Sequence, residues 1–438
     1  MRPVSRKRRA LLIVLAFAMG PLSRAVHADP LYQVTDLGAI QVFGLNNSGQ
    51  VLGQAAAGTS PWFDSGGPMT SFVYNSYGSN AGQQVSIPLG SVSAINNNGI
   101  VAGFTASPTM PTAVLYDTNS PTGNETAVPT NLPGTLGNGV GNGTITGLND
   151  SNQVVGTAYT AAPPGTPISS ANDHLGPQHA YLSNGGTVTD LGLLGGSSPA
   201  ATVIPGAWAN ETWVNPTLQG PQSAATAIND AGQIVGTSSL PNGISHAFLY
   251  SAGKMTDLGG LPGYNFTTAT AINASGAVVG YSTNSAVAPG VPTSAFLYSD
   301  GKMTNLGDLP GGGNYSVALG INSQGTIIGD SNGHAFVYQN GVMTDLNNLV
   351  PTSSGFRLSM AQYINDAGQI VVQGIDSRGV LNEYLLTPTG MPAPVAPELT
   401  GSEIPEPSTL AFAALLGGLA CARWGCRQLG RLRSRRAA

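Results

Sequence analysis

Cysteine is almost missing from this 438-residue sequence: there are two, Cys421 and Cys426, both close to the C-terminus. Residues 29–404 contain none, so disulfides do not hold that stretch together, and its length is enough to bury a sizeable core without them. Charge is scarce too, at 8% of residues, and the positive share is pushed to the ends. Six of the 16 basic residues lie in 1–28 and six in 405–438, leaving Lys254, Lys302, Arg357 and Arg378 between them. Twenty of the 21 acids fall in that middle stretch, so its net charge is 4 − 20 = −16, against −5 for the whole chain. A surface of that sign repels phosphate backbones, which sets nucleic acid aside as a partner and suits a soluble exported protein. Enzyme motifs are lacking as well. There is no Gly-x-Ser-x-Gly elbow, no His-Glu-x-x-His and no Gly-rich phosphate loop ending in Lys-Ser/Thr.

What is present at the ends reads as addressing. Arg2, Arg6, Lys7, Arg8 and Arg9 precede an apolar stretch over 10–19, and Val26-His27-Ala28 offers the small-residue pattern that signal peptidase accepts. Residues 1–28 are therefore expected to be a secretory signal peptide, and Arg8-Arg9 leaves Sec and twin-arginine export both open. At the other end Pro405-Glu406-Pro407-Ser408 is followed by an apolar run over 410–422 and then Arg423, Arg427, Arg431, Arg433, Arg435 and Arg436. A helix over that run would rise roughly 20 Å against a hydrocarbon layer of about 30 Å, short for a permanent anchor. Its arginines would hold the far end on the cytoplasmic side as a membrane stop, leaving everything before Pro405 outside. This arrangement over 404–436 resembles the PEP-CTERM sorting signal of Gram-negative, exopolysaccharide-producing bacteria. The resemblance implies an exosortase as processing partner, transient anchoring in the inner membrane, and a mature chain at the cell surface or in the extracellular matrix.

Between the ends the chain repeats. An apolar residue, Asn, a polar turn with Gly and an apolar run recur around Asn46, Asn96, Asn149, Asn229, Asn273, Asn322 and Asn365. Each copy is followed by a short aromatic segment such as His246-Ala247-Phe248-Leu249-Tyr250, and most then by an element such as Met255-Thr256-Asp257-Leu258-Gly259. Short β-branched and aromatic runs separated by Gly and Asn are strands, and four strands per repeat make a propeller blade. In the third copy Asn152 stands where the others have the turn glycine, and Asn is the next residue to tolerate positive φ. The chain opens with Tyr32-Gln33-Val34-Thr35-Asp36-Leu37-Gly38, a fourth-strand element with no blade before it, whereas the seventh copy stops after Tyr384-Leu385-Leu386. One completes the other. The expected fold is all-β, a seven-bladed β-propeller of four-stranded blades over 29–386 with N-terminal strand closure, which avoids two exposed sheet edges. The signal peptide precedes it, a Pro- and Thr-rich stalk over 387–404 follows, and the sorting signal with its short apolar helix occupies 405–438.

These copies resemble the HAF family of extracellular repeats, on His246-Ala247-Phe248 and His334-Ala335-Phe336 and most strongly over 224–346. In the first two copies the His is Ser71 or Ala113 and the fourth strand is degenerate. The resemblance implies an extracellular location more than an activity. His179, His246 and His334 sit at equivalent places in separate blades, too far apart to share an ion, and read as structural strand-start residues. No cofactor is expected. The Asn-Asp turns lack the alternating Asp-x-Asp-x-Asp-Gly order and would take calcium only incidentally.

If the strands alternate direction, 54–71, 159–179 and 192–224 are long connections on one face of the ring. Recognition belongs to such loops, and among them stand Trp62, Tyr159, Asp173, Trp208 and Trp213. Exposed aromatics stack on sugar rings while acids and amides bond hydroxyls. The expectation is a non-enzymatic matrix or surface protein whose propeller binds extracellular polysaccharide. Set against it are tryptophans that only staple loops to the ring, a polysaccharide-processing glycosidase or lyase that gathers acids from separate blades, and a protein-binding scaffold.

Overall fold

Each blade starts from a turn that asparagine builds. In the fourth copy the Asn229 side-chain oxygen accepts the backbone N–H of Gln233 at 3.0 Å, and Gly232 takes φ +73° to close the loop. Asn152 replaces that glycine in the third copy at φ +60°, as its sequence position predicts. On either side of each turn, β-branched and small residues pair as antiparallel strands. In the fourth blade these are Ser223–Ile228, Ile234–Ser239, Ser245–Ser251 and Lys254–Asp257, labelled a to d from the axis outward. The computed structural model describes residues 31–56, 69–77, 81–107, 111–120, 125–130, 143–161, 175–195, 202–204, 207–209, 212–214, 217–219, 222–284, 292–311, 313–351 and 355–390.

Seven four-stranded sheets of this kind make a β-propeller. Their inner strands, in ring order, are Gln41–Leu45, Leu89–Ile95, Gly143–Leu148, Ser223–Ile228, Phe266–Ile272, Ser316–Ile321 and Phe356–Ile364. The degenerate fourth elements of the first two blades form outer strands, Gln84–Ile87 and the three-residue Glu125–Ala127. The seventh blade takes its outer strand from the start of the chain. Tyr32–Gly38 pairs antiparallel with Leu381–Pro388, in the register Tyr32 to Pro388 and Asp36 to Tyr384. The expected closure is therefore the one found. The last strand runs two residues past the anticipated boundary at 386, because Thr387 is fully buried and its hydroxyl accepts from Tyr77 and from Gln369.

The core is divided among seven seams between blades. At the seam between blades 4 and 5, Val235, Ala247 and Leu258 meet Ala269, Val278 and Phe296, while Ile234 and Phe248 point the other way into the seam with blade 3. Strand b is buried on both sides, which is why it reads as an unbroken apolar pair such as Ile234-Val235. Its next residue is Gly236, crossed by the Phe248 ring: a Cβ there would stand 2.8 Å from that ring and closer still to the Ala224 carbonyl. Burying such a ring over a glycine contributes roughly 1.5–3 kcal/mol of transfer free energy per blade. In blade 7 Val372 takes the glycine's place, and the Tyr384 ring stacks on Phe356 with centroids 4.4 Å apart.

Two hydrogen-bond systems tie the seams at the centre. Every inner ladder carries a β-bulge at the same point, for example between Ala225 and Ala227. The displaced residue is Thr146, Thr226 or Thr270 in blades 3 to 5, and each hydroxyl donates to a carbonyl of the next blade at 2.8–2.9 Å. The second system is a closed circle. The side-chain N–H of each turn asparagine donates to the backbone oxygen of the next: Asn46 to Asn96, then Asn149, Asn229, Asn273, Asn322 and Asn365, and from Asn365 back to Asn46, at 2.9–3.2 Å. All seven asparagines are buried. A second circle runs outside it, in which the backbone N–H of Asn47 reaches Asn97 and those of Asn97 and Asp150 reach the carboxylates of Asp150 and Asp230; it breaks at Ala274, which has no side-chain oxygen.

Asparagine is required here because one side chain must accept within its own turn and donate across the seam. Asn229→Asp keeps the acceptor and removes the donor, leaving the Asn273 carbonyl short of a partner. We expect a loss of about 1–3 kcal/mol, read by chemical or thermal denaturation, with the strand content of the far-ultraviolet spectrum retained. A variant as stable as the parent would show that the circle contributes nothing.

Candidate functional site

Alternating strands divide the connections between two faces. The a–b turns with their asparagines and the c–d turns lie on one; the b–c and d–a connections lie on the other, as expected from the sequence. The second face carries the elaborations. In blade 3, strands b and c, Val154–Ala161 and Leu175–Asn184, extend beyond the ring until Ala161 pairs with Leu175. The connection from blade 3 to blade 4 is more than a loop, which corrects the sequence reading. It holds two nested ladders, Thr202–Ile204 with Thr217–Gln219 and Ala207–Ala209 with Thr212–Val214, and the first runs beside Leu175–Asn184. Local alternation, as in Thr-Trp-Val, is enough to pair these short segments with each other.

The expected ligand residues divide accordingly. Trp208 and Trp213 are direct cross-strand partners in the inner of the two ladders. Tyr159 is half-buried in strand b of blade 3, paired with Gln178. Tyr159 thus lies in strand b of blade 3, and the tryptophans lie in the connection whose outer ladder runs beside strand c of that blade. Trp62 and Asp173 lie outside the described residues, as do the sorting residues Pro405, Glu406, Pro407 and Ser408 and the arginines Arg423, Arg427, Arg431 and Arg433.

The same face carries a repeated pair that sequence reasoning missed. His246 Nδ1 lies 2.9 and 3.0 Å from the two Asp257 oxygens, and Asp257 Oδ1 also accepts the Gly259 N–H at 2.7 Å. His179 pairs with Asp190 at 2.9 Å and His334 with Asp345 at 2.8 Å in the same way. The signal was the constant spacing of 11 residues, together with the joint replacement in blade 5 by Ser294 and Asn305. Across the closure the pair becomes Asn382 with Asp36 of the N-terminal strand, at 3.4 Å. Each histidine joins strand c to the end of strand d; His246 and His334 sit at the start of strand c, whereas His179 lies within the extended strand of blade 3. Among the described residues no three of His, Cys, Asp and Glu gather into a metal-binding group.

One carboxyl is strongly perturbed. Glu383, in strand c of blade 7, occupies the position of Ala247, opposite Gly38 of the closing strand, and is 4% exposed. Gln362 and Gln373 donate to its Oε1 at 3.3 Å, and its Oε2 has no hydrogen-bond partner. Burial pushes its carboxyl up to about 8, against the pull of those two weak hydrogen bonds. Asp36, on the same closing strand, is raised by desolvation as well.

The whole is a seven-bladed β-propeller with an N-terminal closing strand and one decorated face. Residues 195–382 match the family described as "Protein of unknown function (DUF3466)", a stretch that takes in blades 4 to 6 and the two inner strands of blade 7. No curated protein matches. Among solved structures the chain is similar to the acylaminoacyl peptidase of Pyrococcus horikoshii, at 10% identity and a TM-score of 0.44, over 79% of this chain and 51% of that one. It is similar also to the β-propeller domain of the Trilobed protease from Pyrococcus furiosus, at 8% identity and a TM-score of 0.44, over 80% and 94%. A third is TolB from Acinetobacter baumannii, at 13% identity and a TM-score of 0.31, over 75% and 61%. The chain spans about half the length of the Pyrococcus horikoshii peptidase.

Glu383 makes a pH prediction with a definite sign. Its ordinary value of 4.5 applies to the unfolded chain and about 8 to the folded one, so the folded state holds this proton more tightly. The stability it contributes is complete below 4.5, falls as pH rises through the window and is gone above about 8. Glu383→Gln keeps the shape and removes the titration. Melting temperatures of the two proteins should diverge steadily from about pH 5 to pH 9, with the glutamine variant the more stable at the alkaline end; parallel curves would show an ionised Glu383.

Proposed function

We propose that this chain is an exported, non-enzymatic surface or matrix protein, sorted by an exosortase, whose decorated propeller face binds extracellular polysaccharide. The observation that carries the binding half is the placement of Trp208 and Trp213 as cross-strand partners on an extension of that face, beside the blade that carries Tyr159. Paired aromatics on a short ladder suit a flat, hydroxyl-rich polymer. The apolar sides of its sugars meet rings, and its hydroxyls meet the amides and carboxylates of a body of net charge −16. Export and sorting rest on the two ends, where Arg2–Arg9 with Val26-His27-Ala28 and Pro405-Glu406-Pro407 with the arginine tail supply the signals. Among the described residues no helix is long and apolar enough to cross a membrane, and the apolar run at 410–422 lies outside them.

The test is co-sedimentation of the purified chain with exopolysaccharide of the producing organism, with polymer length followed in the same tube. Saturable binding to polymer of unchanged length is expected. Changing Trp208 and Trp213 to Ala should weaken it about tenfold or more while leaving the melting temperature within error. A matching fall in melting temperature would make the tryptophans staples, shortening of the polymer would make the protein an enzyme, and no binding would leave a protein-binding scaffold.

A further inference from the structure

Both chain ends leave the ring at one place. Tyr32 pairs with Pro388, and the Thr389 N–H donates to the Leu31 carbonyl at 2.8 Å, so the start and finish of the propeller are hydrogen-bonded to each other. Their face is fixed by three contacts. Thr387 takes hydrogen bonds from Tyr77, in the c–d turn of blade 1, and from Gln369, which closes the a–b turn of blade 7. Gln369 in turn reaches Ser76, whose hydroxyl donates to the Gly49 carbonyl of the first a–b turn. Thr387 therefore lies on the asparagine-turn face, opposite the extensions of blade 3 and the His–Asp pairs.

We propose that this topology orients the protein on the cell. A chain held by its C-terminal tail, or by an uncleaved N-terminal segment, presents the asparagine-turn face to its support and the decorated face outward. The inference rests on the surface reading given above. It adds the partner's position: a polymer strand lying beyond the cell, reached from outside, rather than the lipid headgroups of the supporting membrane. Closure of the ring enforces the arrangement, because the closing strand places the N-terminal exit on the same face as the C-terminal one; a closing strand taken from the C-terminal end instead would have put both exits on the decorated face.

The absence of cysteine from 29–404 makes the orientation measurable. In producing cells the full chain, with Cys421 and Cys426 changed to Ala, receives one new cysteine. Ala231→Cys marks an exposed a–b turn, and Asn265→Cys marks an exposed d–a connection on the opposite face. Whole cells are then treated with a membrane-impermeant polyethylene glycol maleimide. Asn265→Cys should label several-fold faster than Ala231→Cys on cells, and the two rates should converge once the protein is extracted in detergent. Equal rates on cells, or faster labelling at Ala231→Cys, would overturn the orientation while leaving surface location standing. No labelling of either on intact cells, with both labelled after lysis, would overturn the surface location itself and the orientation with it.

Discussion

Seven asparagine side chains, each donating to the backbone oxygen of the next, impose a constraint that the other features accommodate. Because the circle is made of side-chain amides buried at the inner turns, each blade must bring its turn to the same height and angle as its neighbours. The inner strands bulge at a common point, which re-aims threonine hydroxyls across the seams and keeps the turns in step. The circle also makes closure a matter of chemistry as well as shape. The Asn365 to Asn46 bond spans 319 residues of sequence and forms only when the last blade meets the first. A loop of that length is entropically costly to close, so the paired strands of blade 7 and the packed seam beneath them must supply the offsetting free energy.

The seams explain why the core tolerates such small residues. Each holds only a handful of side chains, and in most blades its density depends on an aromatic ring lying over a glycine in the adjacent strand. Phe248 over Gly236 has counterparts in Phe296 over Gly280 and Phe336 over Gly329. The first blade uses the same device, Phe72 against Gly53. The pattern departs in blade 2, where Val114 faces Gly103, and again at Val372 and Glu383, in the blade assembled from both ends of the chain. An acid in place of alanine at that junction gives the closure a dependence on protons.

Much of this was legible in the sequence. The recurring Asn-x-x-Gly turns, the two-sided strand pairs and the unmatched elements at the two ends specified the blade count and the way the ring closes. What was hidden depended on contacts between repeats. The Asn46 amide meets a carbonyl 50 residues away, and nothing in a single turn distinguishes asparagine as a donor from asparagine as a local acceptor. The invariance of Asn over seven copies, where Asp would serve the turn equally well, was the available clue. The His–Asp pairs were within reach through their fixed spacing and joint loss at Ser294 and Asn305, yet each partner looked complete as a separate strand-end residue. The ladder that carries Trp208 and Trp213 lay inside a connection whose segments of three residues are too short for periodicity to register. Glu383 gave no sign, since burial of a lone acid depends on packing from three other strands.

The exit of both ends from one corner of blade 7 has a mechanical side. A polymer held on the decorated face and a tail held at the cell would pull in opposite directions along Leu381–Pro388, the strand that leads to the exit. Its hydrogen bonds to Ile370–Asp376 on one side and to Tyr32–Gly38 on the other lie across that line of force. Load applied this way shears two ladders at once instead of peeling bonds open singly. The strand that seals the ring is thus also placed to reinforce its most heavily loaded element.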